Sequence, residues 1–324
     1  MKIRLFFILL LLTMIFSCGR GGVLLSKLDE LQRKEKWQII FSSGGTTLYS
    51  FIFKGDDKEI YYARDIFIVD PSLSTDGKKI VFSTMKIGEK NVDIIRINSD
   101  GTGLQKLFSH LFAKGTSLSP DGKIIAFWGD HNEVRKSKNL YLYDIKENKI
   151  KLVQNDATYS ETAFAPSWSP DSKQLVYASL DGYITTVNIE KLYSKKLIKG
   201  DAPSWSPDGK AIIYREGISY FRVLPDNQTT EYYIEGHRYY SIDPQGGNKK
   251  FILDGKSHFW EFAGHVYAPV VWSPDGKYIL FYKPYDSLIR GPNRAKIYAM
   301  EIESGKIVFV KKQSGIPSFS WGKG

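Results

Sequence analysis

The chain has 324 residues, of which 42% are hydrophobic, 14% aromatic and 25% charged, with a formal net charge of +10. That composition is globular, neither disordered nor collagen-like, and a chain of this size buries roughly three quarters of its unfolded surface. A single cysteine excludes a disulfide scaffold, a four-cysteine zinc site and a redox pair.

At the amino terminus Lys2 and Arg4 precede an apolar run over residues 5–16. A helix needs about 20 residues to cross a bilayer, so this shorter run reads as a signal peptide. It ends in Ile15-Phe16-Ser17-Cys18, which resembles the lipoprotein box of bacteria, with Phe16 where a small residue is usual. The resemblance implies removal of residues 1–17 and lipidation of Cys18, the one cysteine present. Gly19 rather than aspartate after it implies, by analogy with two-membrane bacteria, an outer-membrane lipoprotein facing the periplasm or the surface. Such an anchor holds the protein on a membrane without crossing it. Residues 18–36 then form the lipidated cysteine and a tether. Leu24, Leu28 and Leu31 stand there at helical spacing, which predicts a short amphipathic helix packed on the following domain.

From residue 37 onward repetition dominates. The segments PSLSTDGKKIVFS (71–83), TSLSPDGKIIAFW (116–128), PSWSPDSKQLVYA (166–178), PSWSPDGKAIIYR (203–215) and VVWSPDGKYILFY (270–282) share one plan, and PSFSWGKG (317–324) is a shortened sixth. Aligned on Ser74, Ser119, Ser169, Ser206, Ser273 and Ser320, they lie 45, 50, 37, 67 and 47 residues apart. That spacing suits one four-stranded propeller blade per repeat. Ser-Pro-Asp-Gly is a tight-turn sequence, because proline presets φ, aspartate bonds locally and glycine tolerates the left-handed region. A large apolar residue precedes each aligned serine, ending with Phe319. An alternating strand follows each complete turn and ends in Phe82, Phe127, Tyr177, Tyr214 or Phe281.

Strand, polar turn and strand recur at 91–107, 139–153, 182–198 and 295–310, and at 238–253 after an insertion over about 216–237. The sixth inner strand has nothing after it, whereas 37–42, 46–53 and 58–63 are strands without an inner partner. The expectation is therefore an all-β, six-bladed propeller over 37–324, its ring closed by pairing the carboxyl-terminal inner strand with the amino-terminal strands. Closure removes the exposed edges of an open stack.

The repeats resemble the TolB-like propeller unit, which is akin to WD40-like repeats, and the similarity covers nearly the whole chain after residue 36. The resemblance implies the fold and leaves the function open, since the same unit occurs in TolB, in prolyl-peptidase relatives and in bacterial lipoproteins. TolB carries an α/β domain before its propeller, and only 18 residues separate Cys18 from Trp37. This chain therefore reads as a propeller-only relative.

Catalytic motifs are missing from the sequence. There is no Gly-x-Ser-x-Gly elbow, no Walker loop and no dinucleotide fingerprint. His110, His131, His237, His258 and His265 include no His-x-x-x-His pair. No catalytic set, metal site or cofactor is assigned.

A four-stranded meander puts the Ser-Pro-Asp-Gly turns on one face of the ring. The opposite face collects the loops that lead into each inner strand and those joining second and third strands. This loop-rich face is the candidate binding face, with Arg64, Asp65, His110, Lys114, Tyr159, Glu161, Asp201, Trp260, His265 and Tyr267 expected on it, beside loops 129–138 and 283–294. Two readings follow. In the first, a non-catalytic monomeric scaffold binds an envelope protein or an anionic polymer, the basic charge favouring anionic partners. In the second, an enzyme acts on a small or sugar-acid ligand at the channel mouth, with His110, His265 or Glu161 as acid or base. No nucleic-acid module is present.

Overall fold

The computed structural model describes residues 22–323 apart from 43–44, 87, 112, 130–137, 159–163, 224–229, 255–269, 285–293 and 315–317. The expected turn chemistry is what builds it. In each complete repeat the serine hydroxyl donates to the aspartate two residues on, as from Ser119 to Asp121 at 2.6 Å and from Ser273 to Asp275 at 2.6 Å. The same oxygen accepts an amide five residues on, from Ile124 and Tyr278 at 2.9 Å. Gly77, Gly122, Gly209 and Gly276 take positive φ at the fourth position, and Ser172 adopts φ 60° where the glycine is replaced.

A helix over 22–34, α1, leads into the strands. Blade 1 takes β1 (Trp37–Ser42), β2 (Thr47–Ser50) and β3 (Lys58–Tyr62). Blade 2 is β4 (Ile66–Leu73), β5 (Lys79–Lys86), β6 (Asn91–Asn98) and β7 (Gln105–Leu111), and blade 3 is β8 (Lys114–Leu118), β9 (Ile124–Gly129), β10 (Lys138–Asp144) and β11 (Lys149–Thr158). Blade 4 comprises β12 (Ser167–Trp168), β13 (Gln174–Ala178), β14 (Tyr183–Asn188) and β15 (Ser194–Lys199). Blade 5 comprises β16 (Asp201–Trp205), β17 (Ile212–Val223), β18 (Thr230–Ile242) and β19 (Lys250–Asp254). Blade 6 contains β20 (Val271–Trp272), β21 (Tyr278–Pro284), β22 (Arg294–Glu301) and β23 (Ile307–Ser314), and β24 (Ser318–Lys323) completes blade 1. Each of the six sheets is four-stranded and antiparallel, so the six-bladed all-β ring stands as read from the repeats.

Closure is by β24 against β1, with Ile39 opposite Trp321 and Phe41 opposite Phe319. The register corrects the alignment of the last repeat by two residues. Ser320 faces Ile40 as Ser72 faces Val81, and its hydroxyl accepts the Leu73 amide at 2.9 Å just as Ser72 accepts that of Leu118. Trp321, not Phe319, therefore holds the place of Trp168, Trp205 and Trp272. Both alignments satisfy a serine-and-aromatic pattern, and only pairing with β1 separates them.

Blades pack through six apolar clusters, one at each junction of neighbouring blades. The second strands are buried on both faces, so they are continuous apolar runs such as Ile124–Trp128 and not the alternating strands expected from the sequence. On β9, Ile125 and Phe127 pack toward blade 2, and Ala126 and Trp128 toward blade 4. Indole nitrogens stitch the blades further: Trp168 donates to the Ser117 carbonyl at 3.1 Å and Trp272 to that of Ser204 at 3.3 Å.

The predicted helix forms, and it wedges into the junction of blades 6 and 1. Leu24 and Leu28 are buried with Trp37, Phe51, Tyr278 and Val310. Gln32 donates to the Phe51 carbonyl at 2.8 Å and accepts the Phe53 amide at 3.2 Å, satisfying backbone that leaves β2. Among the described residues, no helix is long and apolar enough to cross a membrane.

The insertion in blade 5 is a hairpin. β17 and β18 stay paired from Gly217 opposite His237 to Val223 opposite Thr230, beyond the last rungs to β16 and β19. This two-stranded arm extends roughly 20 Å at about 3.3 Å per residue.

Candidate functional site: the loop-rich face and the central channel

Two kinds of connection meet on the face opposite the Ser-Pro-Asp-Gly turns: the links into inner strands and the links between second and third strands, the β17–β18 arm of blade 5 among them. Arg64 and Asp65 sit there on the β3–β4 link, with side chains 86% and 82% exposed and 3.7 Å apart. Asp65 has φ 61°. Lys114 opens β8 and is exposed, and Asp201 opens β16. Tyr159, Glu161, Trp260, His265 and Tyr267 lie outside the described residues, as do Cys18 and most of loops 129–138 and 283–294.

His110 is placed differently from its companions. It lies near the end of the outermost strand β7, opposite Val92. Its ring packs 5.2 Å from Phe127 and 5.1 Å from Tyr141, and Nδ1 lies 3.0 Å from the Leu111 carbonyl. It is a packing group between blades 2 and 3 and does not line the channel. Among the described residues, no hydrogen bond or ion pair joins Arg64, Asp65, His110, Lys114 and Asp201 across blades, so these five form no single constellation.

Asp201 belongs instead to a buried pair that the sequence did not announce. Arg215 on β17 donates Nε and Nη2 to the two Asp201 oxygens at 2.6 Å each. The guanidinium side chain is 5% exposed and that of Asp201 41%. The Phe164 ring lies 5.2 Å from the guanidinium carbon, and the buried Tyr239 stands opposite Arg215 on β18. Burial pushes the Tyr239 phenol well above its ordinary value. Since Trp128 also donates to the Phe164 carbonyl at 2.9 Å, this link into β12 is held from blades 3 and 5. The bidentate pair fixes the base of the arm, because Arg215 is the last β17 residue paired to β16.

The inner strands enclose a central channel of about 600 Å³. Ser72, Ser117, Ser167, Ser204, Ser318 and Ser320 line it together with Phe164, Tyr282 and Asp70. A second, more open groove of about 720 Å³ runs outside the ring by blade 4, where Leu180 and Tyr193 are exposed beside Lys195 and Lys196. Lys196 pairs with Asp181 in that groove. No cluster of three or more metal-ligating side chains occurs among the described residues.

Asp70 was also missed. A bulge between Val69 and Ser72 gives it φ 51°, and its Oδ2 accepts the Gly115 amide at 2.7 Å. Burial raises its carboxyl above the ordinary range, against the lowering effects of that hydrogen bond and of Lys114. A signal did exist in the sequence. The residues two before the inner-strand serines are Asp70, Gly115, Ala165, Ala202 and Ser318, and only one carries a charge.

Comparison with known proteins places the fold. No protein-family model matches the chain, and no curated protein is similar to it. Among solved structures, TolB from Acinetobacter baumannii superposes with a TM-score of 0.65 at 18% identity, over 88% of this chain and 66% of that one. A putative TolB from Agrobacterium tumefaciens matches with a TM-score of 0.60 at 17% identity, over 89% of this chain and 98% of its own. A chain of a nidogen/laminin complex gives 0.60 at 10% identity, over 88% and 98%. The first comparison leaves about a third of the Acinetobacter protein without a counterpart here, whereas the second covers its partner almost end to end. The protein is a six-bladed β-propeller of the TolB-like fold.

Proposed function

We propose that the chain is an exported scaffold, held on the bacterial membrane through a lipidated Cys18, that binds an envelope protein or anionic polymer through its loop-rich face. The observation that carries this reading is the distribution of irregular chain on a rigid ring. One face consists of repeated tight turns closed on themselves, while the other carries exposed Arg64, Asp65 and Lys114 and a projecting arm whose base is fixed by Arg215 and Asp201. Binding surfaces concentrate on such segments above a stable framework. A propeller of the same fold comes from a nidogen/laminin complex, which supports a protein as the partner. The alternative of acid–base catalysis at the channel mouth loses His110, whose ring is packed between blades 2 and 3.

Cross-linking in intact envelope, followed by purification of the full chain, tests the face. The experiment is repeated with loops 129–138 and 283–294 replaced and with the arm cut back to Gly217 and His237. Loss of the cross-linked partner in at least one variant is expected. Unchanged partners in all three would overturn the assignment. In the same cells, Cys18→Ser is expected to move the protein from the membrane to the soluble fraction.

A further inference from the structure

We infer that the central channel is a binding site for a primary ammonium group, with Asp70 as its counter-charge. The inference concerns the interior of the ring and holds whichever partner the loop-rich face takes.

Asp70 is a carboxylate without an ion-pair partner among the described residues, set on the wall of a channel of about 600 Å³. Cavities of roughly 300–1,000 Å³ with a few convergent polar groups are the usual size for small-ligand sites. The Asp70 Oδ2 accepts the backbone amide of Gly115 at 2.7 Å. A carboxylate in confined, partly apolar surroundings is poorly solvated, and a cation brought beside it offsets that penalty.

The rest of the wall favours an ammonium group over a bare metal ion. Ser72 and Ser167 each use a lone pair to accept an amide from the next blade, from Leu118 and Trp205 at 2.9 Å. A second lone pair of each oxygen is left for the channel. An ammonium carries three donors, which a carboxylate oxygen and neutral hydroxyl oxygens accept together. Phe164 and Tyr282 add apolar surface to the channel lining. Among the described residues there is no second carboxylate on this wall and no group of three metal-ligating side chains. The neighbouring positive charges are Lys114, exposed on the rim, and Lys323 on the channel lining, and neither forms an ion pair with Asp70.

Two sources supply such a group, a free diamine or the amino terminus of a peptide. Calorimetric titration of the purified full chain separates them, using 1,4-diaminobutane, a tripeptide with a free amino terminus, and the same tripeptide acetylated. The key variant is Asp70→Asn, because asparagine still accepts the Gly115 amide and tolerates positive φ. Asp100→Asn, an exposed turn residue, controls for net charge, and thermal melts confirm that both variants fold.

Binding of a free-amine probe is expected, weakened at least tenfold in Asp70→Asn and unchanged in Asp100→Asn. Binding of the diamine alone assigns the small-molecule source. Binding of the free tripeptide, lost on acetylation, assigns the peptide terminus. Absence of binding by every probe, or equal affinity of Asp70→Asn and the parent chain, would overturn the inference.

Discussion

Leu28→Ala isolates the contribution of α1 to the folded unit. Leu28 is fully buried at the junction of blades 6 and 1, in the cluster that contains Trp37, Phe51, Phe53 and Val310. Truncating a buried leucine costs about 2–5 kcal/mol, from lost transfer energy plus the residual cavity. The site is lined by aromatic rings on rigid strands, with Trp37 and Trp321 packed edge-on at 5.4 Å, so it collapses poorly and a cost of about 3 kcal/mol is expected. For a domain of this size that corresponds to a fall in Tm of about 5 °C. Circular dichroism or calorimetric melts read it directly, with Val23→Ala as the control, since Val23 is 67% exposed on the same helix. A Tm within a degree of the parent for Leu28→Ala would show that α1 is a loose leader and not part of the domain.

Two further outcomes follow from the electrostatics. The side chains of Asp76 and Asp171 are held below the ordinary carboxylate range, chiefly by the hydroxyls of Ser74 and Ser169, so their stabilisation is complete above about pH 4 and is lost as pH falls through their folded values. Tm measured from pH 6 to pH 2 is expected to decline mainly below pH 4, and Ser74→Ala combined with Ser169→Ala should flatten that decline. An unchanged slope in the double variant would remove the turns as its cause. At the base of the arm, Asp201→Ala takes the carboxylate from a nearly enclosed guanidinium and should cost about 3–5 kcal/mol, whereas Arg215→Met leaves a half-exposed carboxylate to water and should cost less. Urea denaturation that ranks the two variants in the opposite order would contradict the assigned burial.

The ring was legible in the sequence because its determinants are local and repeated. Serine, aspartate and a residue at positive φ close each turn by bonds to near neighbours, and apolar runs such as Ile124–Trp128 mark strands covered on both faces. The partner of β1 could be deduced by counting strands, but its register could not. Phe319 and Trp321 both follow a serine, and the choice depends on contacts with a strand nearly 300 positions away. The arm was readable only as an insertion, because its pairing, Ser219 opposite Ile234 to Val223 opposite Thr230, leaves no alternating pattern in the sequence. His110 shows why proximity in sequence misled. It precedes an inner strand by only a few residues, yet it belongs to the outermost strand of the preceding blade, on the far side of the sheet from the channel. Asp70 and Arg215 depend on a bulge and on cross-strand pairing, neither of which composition reveals.

Amide hydrogen exchange over the chain's two ends tests the closed ring most directly, because it reports the pairing of β24 with β1 without altering a residue. The account predicts that peptides covering 37–42 and 318–323 exchange as slowly as those covering β5 and β9, by global unfolding. Exchange of the 318–323 amides at the rate of exposed turns, with β5 and β9 still protected, would show the ring open and contradict the architecture.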